Sequence, residues 1–266
     1  MVVLKYLLLY LIIVLNTAFA QDLAKADFKN INELSGWKLS FQDDGTKAWQ
    51  KNWFLDGLRA KIENSERGLL FSAGDVEGDD ACHAVLWTKQ SFSGDIKITY
   101  NYTRTDTRQN WVNIVYIYAT GIGEKPYNKD ISTWSNLRMI PYMSSYFKYM
   151  NALHISYAAY DDELPKGQDY IRLRKYPVAP KANFSKTTEI APSYFDTGLF
   201  IPGQEYQITL IRKGNCFYFH VKGDKQDKLY TWDISSATNI TEGRVGLRHM
   251  YTRSSLYKNF KIYTHN

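Results

Sequence analysis

The sequence predicts an all-β protein, a two-sheet antiparallel jelly-roll sandwich. Three observations lead there. Segments of alternating polarity recur along the chain, roughly a dozen of them, with almost no helical periodicity. The composition includes 21 Tyr, 13 Phe and 7 Trp, and aromatic residues suit a pleated, half-buried surface. The stretch 205–222 has the form of a hairpin: EYQITLIR, a turn at Lys213-Gly214-Asn215, then CFYFHVK. In such a sandwich one sheet curves and offers a concave face.

Residues 1–20, MVVLKYLLLYLIIVLNTAFA, read as a secretory signal peptide. One early lysine precedes an unbroken apolar run, and Ala18-Phe19-Ala20 forms a small-residue exit before Gln21. The rival is an uncleaved anchor, since the run is almost long enough to span a bilayer. No cysteine stands at the exit to carry a lipid. The expectation is a single domain over 21–266, secreted or periplasmic, with no stable membrane insertion after cleavage.

The elements follow in order. Residues 22–34 form a short helix or irregular lead-in. WKLSF at 37–41 is the first strand, stopped by Asp43-Asp44-Gly45. The aromatic stretch 49–55 fits no simple period. Short strands cover 60–64 and 68–72. ACHAVLWT at 81–88 is a strand with His83, Val85 and Trp87 on one side. DIKITYNYTR at 95–104 alternates cleanly and ends in Arg104. WVNIVYIYA at 111–119 is almost wholly apolar, as in a strand covered on both faces, with Asn113 as its polar intruder.

Residues 121–149 form a long segment without clear period, expected to wall a groove. MNALHISYAAY at 150–160 places Leu153, Ile155 and Tyr157 on one face and His154, Ser156 and Tyr160 on the other. DYIRLRKY at 169–176 places Tyr170, Arg172, Arg174 and Tyr176 opposite Ile171 and Leu173. A polar loop covers 177–195. Strands at 205–212, 216–222, 228–232, 243–250 and 256–263 complete the chain.

The formal net charge is +6, with Lys5 in the leader. The excess is mild and has no block of like charge, so it suits an anionic ligand better than a cationic one. Nucleic acid is a poor partner for an exported chain without a basic tail. Cys82 and Cys216 are the only cysteines. An oxidising compartment would permit one disulfide, and two buried thiols are the alternative.

The ending narrows the fold. A hairpin whose second strand reads FYFHVKG is followed by a short strand ending in Trp232, then GRVGLRHM at 243–250 and YKNFKIY at 257–263. This resembles the close of concanavalin-A-like lectin/glucanase domains. With HAVLW at 83–87, NALHISY at 151–157 and RLRK at 172–175, the stretch from 60 to 266 resembles the YesU-like family. That resemblance implies a jelly roll in the context of plant and algal polysaccharide breakdown. It implies no settled reaction and assigns no catalytic residue.

Glucanases of this superfamily usually carry E-x-D-x-E on a strand, which puts alternate carboxylates on one face. That motif is absent here. The strands carry His, Tyr, Arg and Asn instead, an inventory that fits elimination from a uronic acid. A cation or amide neutralises the carboxylate, a base takes the C5 proton, and an acid protonates the leaving oxygen.

His154 is the expected base, Tyr160 and Tyr157 are rival acids, and His83 is a second base or ligand. Arg172, Arg174, Arg104 and Asn113 are expected to hold the carboxylate, with Arg248 or His249, but not both, facing the groove. Trp134 is expected to contact substrate from the long segment. The scattered histidines show no metal-ligand spacing. No cofactor is expected, although turn acids at 79–80 and 161–163 could take a structural calcium ion.

The sequence therefore points to an acidic polysaccharide or oligosaccharide as partner. The expected activity is an enzyme cleaving it by elimination rather than hydrolysis. The alternative is a non-catalytic carbohydrate-binding protein.

Overall fold

The computed structural model describes residues 21–161 and 163–265. The expected signal peptide lies outside them. The described residues fall into two units, 21–37 and 38–265. Of the first, residues 21–32 are helical (α1).

The second unit is the predicted sandwich. Its strands are β1 (Lys38–Asp43), β2 (Trp53–Asp56), β3 (Lys61–Ser65), β4 (Gly68–Ser72) and β5 (Ala84–Ser93). Then come β6 (Asp95–Arg104), β7 (Trp111–Gly121), β8 (Met150–Tyr160), β9 (Asp169–Tyr176) and β10 (Glu189–Phe195). The last are β11 (Glu205–Lys213), β12 (Cys216–Lys222), β13 (Asp227–Asp233), β14 (Glu242–His249) and β15 (Ser254–His265). The first sheet has 8 strands, in the order β13-β12-β11-β6-β15-β4-β3 with β1 also on β15. The second has 7, in the order β10-β9-β8-β7-β14-β5-β2.

Alternation explains the packing between the sheets. Ile96, Ile98, Tyr100 and Tyr102 of β6 face Leu153, Ile155 and Tyr157 of β8 across one apolar core. The second sheet is also covered on its far side. There Val85, Trp87, Ile114, Tyr116 and Ala152 pack under Ile131, Trp134 and Tyr146. The cover comes from the segment expected to be an aperiodic loop. It contains a 3-10 helix, Ile131–Arg138, kinked at Trp134 (φ −129°), and the helix α2 (Met143–Tyr149). This cover is why β7 and β8 are apolar on both faces.

Asp56 anchors the cover. Its Oδ2 accepts hydrogen bonds from Trp87 Nε1 (2.7 Å), Arg138 Nε (2.6 Å) and Tyr146 OH (3.1 Å). Both members of the Asp56–Arg138 ion pair are fully buried. The glycines of GRVGLR also have physical reasons. Gly246 sits opposite Trp87 on β5, and a Cβ there would run into the indole ring. Gly243 has φ +141° against the backbone of Tyr118.

The two cysteines are free thiols, Cys82 buried and Cys216 exposed, so the permitted disulfide is not formed. Cys82 lies in a 3-10 helix, Asp80–Cys82, rather than in a strand.

Removing one partner of the buried pair leaves an uncompensated charge. Arg138→Ala is expected to cost about 3–5 kcal/mol of stability, measured by urea denaturation. A loss below about 1 kcal/mol would show that the pair does not anchor the cover.

Candidate functional site

A cleft of about 480 Å³ opens on the far side of the second sheet, over β8 and β9. Its floor carries His154 and Ser156 from β8 and Arg172 and Arg174 from β9. The antiparallel register sets them in two pairs, His154 opposite Arg174 and Ser156 opposite Arg172. Met143 of α2 and Phe184 of the short helix α3 (Phe184–Thr188) form parts of the wall. Thus the long segment does supply a groove wall, through a helix.

His154 is almost wholly buried and holds two hydrogen bonds. Nδ1 lies 2.7 Å from Tyr176 OH and Nε2 lies 2.8 Å from Ser156 Oγ. Burial, and then Arg174, Arg248 and Arg172, hold its pKa well below the ordinary histidine value. The ring is therefore neutral, with one nitrogen donating and the other accepting.

The arginines differ in how their charge is met. Arg172 Nε donates to Ser193 Oγ (2.8 Å) and lies 3.6 Å from Glu189 Oε2. Its guanidinium also stacks on the Tyr170 ring at 4.6 Å. Arg174 is 5% exposed, donates to Thr188 Oγ1 (2.9 Å) and stacks on Phe184 at 4.7 Å. Among the described residues it forms no ion pair. Burial, and then Arg172, lower its pKa. Arg248 is fully buried beneath α2, stacked 4.5 Å from the Tyr146 ring. It donates to Pro141 O (2.8 Å), while its Nε and Nη1 have no hydrogen-bond partner among the described residues. Three guanidiniums thus surround one neutral imidazole.

Of the other expected site residues, Tyr160 also lines this cleft, and the rest are not among its lining residues. Alternation predicts that Tyr160 shares the face of His154, but β8 has a register shift between Ser156 and Ala159, with Ala158 at φ 45°. Tyr160 therefore stands at the edge of the cleft, its hydroxyl bonded to Arg104 Nη1 (2.7 Å) of the other sheet. Tyr157, the rival acid, is buried between the sheets with its hydroxyl 3.2 Å from that of Tyr257. Arg104 is also engaged with Asp106 (3.0 Å) and the Arg108 carbonyl, so its donors are occupied away from the cleft.

Asn113 points into the core, where its amide donates to Tyr102 OH and Ser255 Oγ. It is a core amide and not a carboxylate clamp. His83 is the C-cap of a 3-10 helix and not a strand residue. Its Nδ1 accepts from the Tyr251 N–H (3.1 Å), which leaves Nε2–H for Asp80, 3.2 Å away. Burial and Arg248 push its pKa down to about 2. Trp134 is 2% exposed, bonded to Asn128 O and covered by the Arg138 guanidinium, so it packs the cover and meets no ligand. Arg248 and His249 do face opposite sides, His249 bonding Tyr257 OH (2.8 Å) in the core.

Two partners of His154 were visible in the sequence only as members of its faces. Ser156 lies two residues on, and Tyr176 alternates with Arg174. The sequence carries no signal that brings Met143 and Phe184 over the sheet. Among the described residues no three His, Cys, Asp or Glu side chains converge as metal ligands.

The fold is an antiparallel jelly-roll sandwich like those of galectin-like and legume-lectin structures. The chain belongs to the DUF1961 family, a domain of unknown function whose model matches residues 43–262. No curated protein matches. Among solved structures, a Bacillus subtilis protein of unknown function with a galectin-like fold is 19% identical, with a TM-score of 0.61 over 86% of this chain and 98% of that one. The exoplasmic/lumenal domain of VIP36, in a Ca2+/Man3GlcNAc-bound form, is 12% identical, with a TM-score of 0.52 over 86% and 90%. Lectin UEA-II, complexed with galactose, is 9% identical, with a TM-score of 0.52 over 85% and 98%. At these identities the likeness is one of fold.

Three buried histidines make the fold acid-sensitive. His83, His154 and His249 all have folded pKa values below the ordinary 6.5, with His249 at about 3. Below pH 6.5 the unfolded chain binds the protons that the folded chain refuses. Their stability contribution is therefore complete above 6.5 and is lost as pH falls. Each histidine should add about 1.4 kcal/mol per pH unit to the slope in that window. Urea midpoints between pH 6.5 and 4.5 check this, and a flat profile there would contradict it.

Proposed function

We propose that this cleft binds an acidic carbohydrate, a uronate-bearing polysaccharide or oligosaccharide, with Arg174 and Arg172 holding the sugar carboxylate. The observation that carries the reading is Arg174: a buried cation on the cleft beside a second guanidinium, with no ion pair among the described residues, since Glu189, its neighbour in register on β10, pairs with Arg172. A buried charge is costly unless paired, and a bound anion supplies the pair. The saccharide-bound lectins of the same fold support the carbohydrate half of the reading. The YesU-like resemblance and the signal-like leader support a setting outside the cytoplasm, in polysaccharide breakdown.

Elimination is the second reading, favoured by one observation: a neutral imidazole directly opposite the arginine that would hold the carboxylate. In that reaction His154 takes the C5 proton, the C–H electron pair forms the C4=C5 double bond, and the C4–O pair leaves on the sugar oxygen, which takes a proton from solvent water. Binding ranks first for two reasons. Both nitrogens of His154 are already hydrogen-bonded, the Tyr160 hydroxyl is engaged by Arg104, and the Tyr157 hydroxyl lies in the core.

Calorimetric titration with uronate oligosaccharides tests the first reading. Arg174→Met should weaken binding at least about tenfold, the scale of a lost charge-assisted contact. It should also reduce the salt dependence of binding, while neutral oligosaccharides bind weakly to both proteins. Equal affinity of wild type and variant for uronates would sink the proposal. Ultraviolet absorbance of unsaturated uronate, followed in the same samples, decides elimination. Product formed by the wild type and lost in His154→Ala, with binding retained, would make the protein a lyase.

A further inference from the structure

A second cleft, of about 420 Å³, opens at the end of the sandwich. The β6–β7, β8–β9 and β10–β11 connections meet there. The exposed Ile201 and Pro202 give it an apolar side over the buried Leu199 and Phe200, and Gln109 and Asp196 give it polar groups. Tyr160 borders this cleft and the arginine cleft alike.

The loop that builds the apolar side is held in place rather than left to solvent. Asp169 accepts from the Thr197 N–H (2.5 Å) and from its hydroxyl. Gly203 N–H donates to the Arg104 carbonyl (2.8 Å), and Ile201 N–H donates to Tyr206 OH (3.2 Å). Within this loop Asp196 has φ 51° and Phe200 has φ 59°, left-handed values that non-glycine residues adopt at a cost. Phe200 is 1% exposed, whereas the adjoining Ile201 is 50% exposed.

The chemistry of this cleft differs from that of its neighbour. Its one arginine, Arg104, is engaged by Asp106 and Tyr160. Its carboxylates, Asp169 and Asp196, have no guanidinium beside them free for a ligand, whereas the arginine cleft sets Arg172 and Arg174 among Asp161, Glu163 and Glu189. An apolar side with amide, carboxylate and phenol groups around it suits a neutral pyranose. The C–H face of the sugar packs on the apolar side, and its hydroxyls meet the polar groups.

We propose that the end cleft is a second subsite that takes a neutral sugar unit, adjoining an acidic unit held by Arg172 and Arg174. The ligand is then a glycan in which an acidic residue is linked to a neutral one, passing over Tyr160. The acidic half of this statement rests on the binding reading above. The neutral half rests on the end cleft alone.

Amide NMR on the full mature chain separates the two halves. Three probe sets are titrated: neutral methyl pyranosides, uronate monosaccharides, and aldobiuronic acids in both linkage orders. Neutral sugars should shift amides within 107–109 and 196–202, and uronates should shift those of 170–175. An aldobiuronic acid should shift both sets and bind at least about tenfold tighter than either component, because the second contact is made within one complex. Asp196→Ala and Gln109→Ala should each lose that gain yet keep wild-type affinity for the uronate monosaccharide, with their own spectra reporting an intact fold. Neutral sugars that move no amide in 107–109 or 196–202 would overturn the second subsite, as would disaccharides no tighter than uronates. Uronates that leave 170–175 unmoved would sink the acidic-site reading instead, and the response to neutral sugars would still decide the end cleft.

Discussion

Asp56 lies at the bottom of a layer that excludes water, and donors from three separate elements converge on one of its oxygens. Trp87 comes from the sheet, Arg138 from the 3-10 helix and Tyr146 from α2. A carboxylate in such surroundings is tolerated only while those donors stay in place. The outer cover is therefore tied to the sheet at a point, not merely laid on it. Because α2 is tied down, Met143 reaches the edge of the cleft and Arg248 is sealed beneath Tyr146. The burial that makes His154 neutral follows from the same layer.

The arginines of the second unit sort by this criterion. Arg138 has Asp56, Arg104 and Arg253 share Asp106, and Arg212 has Asp95. In each of these cases a fixed carboxylate neutralises the cation, and the pair is part of the architecture. Arg174 has a hydroxyl and an aromatic face, and Arg248 has a carbonyl and an aromatic face. Those contacts orient a guanidinium without cancelling its charge. That charge lies around His154, which lines the arginine cleft. Fixed geometry and unmet charge together are what a recognition site needs, since an oriented donor loses little entropy when its ligand arrives.

Much of this was legible in the sequence, and what was not has definite causes. Strands of period two and the apolar run of β7 gave the sandwich and the doubly covered sheet. The row of His154 with Ser156, and of Arg172 with Arg174, also survived, because a regular strand keeps its parity. The segment 121–149 was opaque, since a kinked 3-10 helix and a helix of 7 residues leave little periodic trace. Trp134 and Asn113 were misplaced for one reason: composition shows that an aromatic or amide could meet a ligand, but only packing shows that Asn128 O or Tyr102 OH already has it. Tyr160 borders the cleft from its edge rather than from the row of His154 because of a bulge, which alternation does not show.

That bulge repays closer argument, because it is built rather than accidental. Ala158 takes φ 45° in β8, and Trp111 takes φ 66° at the adjoining end of β7, where the register also shifts. Each irregularity frees a carbonyl that a regular ladder would have bonded. Arg253 meets both, donating from Nη1 to Ala158 O (2.6 Å) and Trp111 O (2.8 Å). Asp106 holds Arg253 by its Nε and holds Arg104 by the other oxygen. Arg104 in turn holds the Tyr160 hydroxyl. One carboxylate thus supports two arginines, two strand bulges and the tyrosine between two clefts. A straight β8 would have put Tyr160 on the same face as His154, farther along the strand. The bulge turns it to the boundary, where it can border two ligand units instead of acting on one.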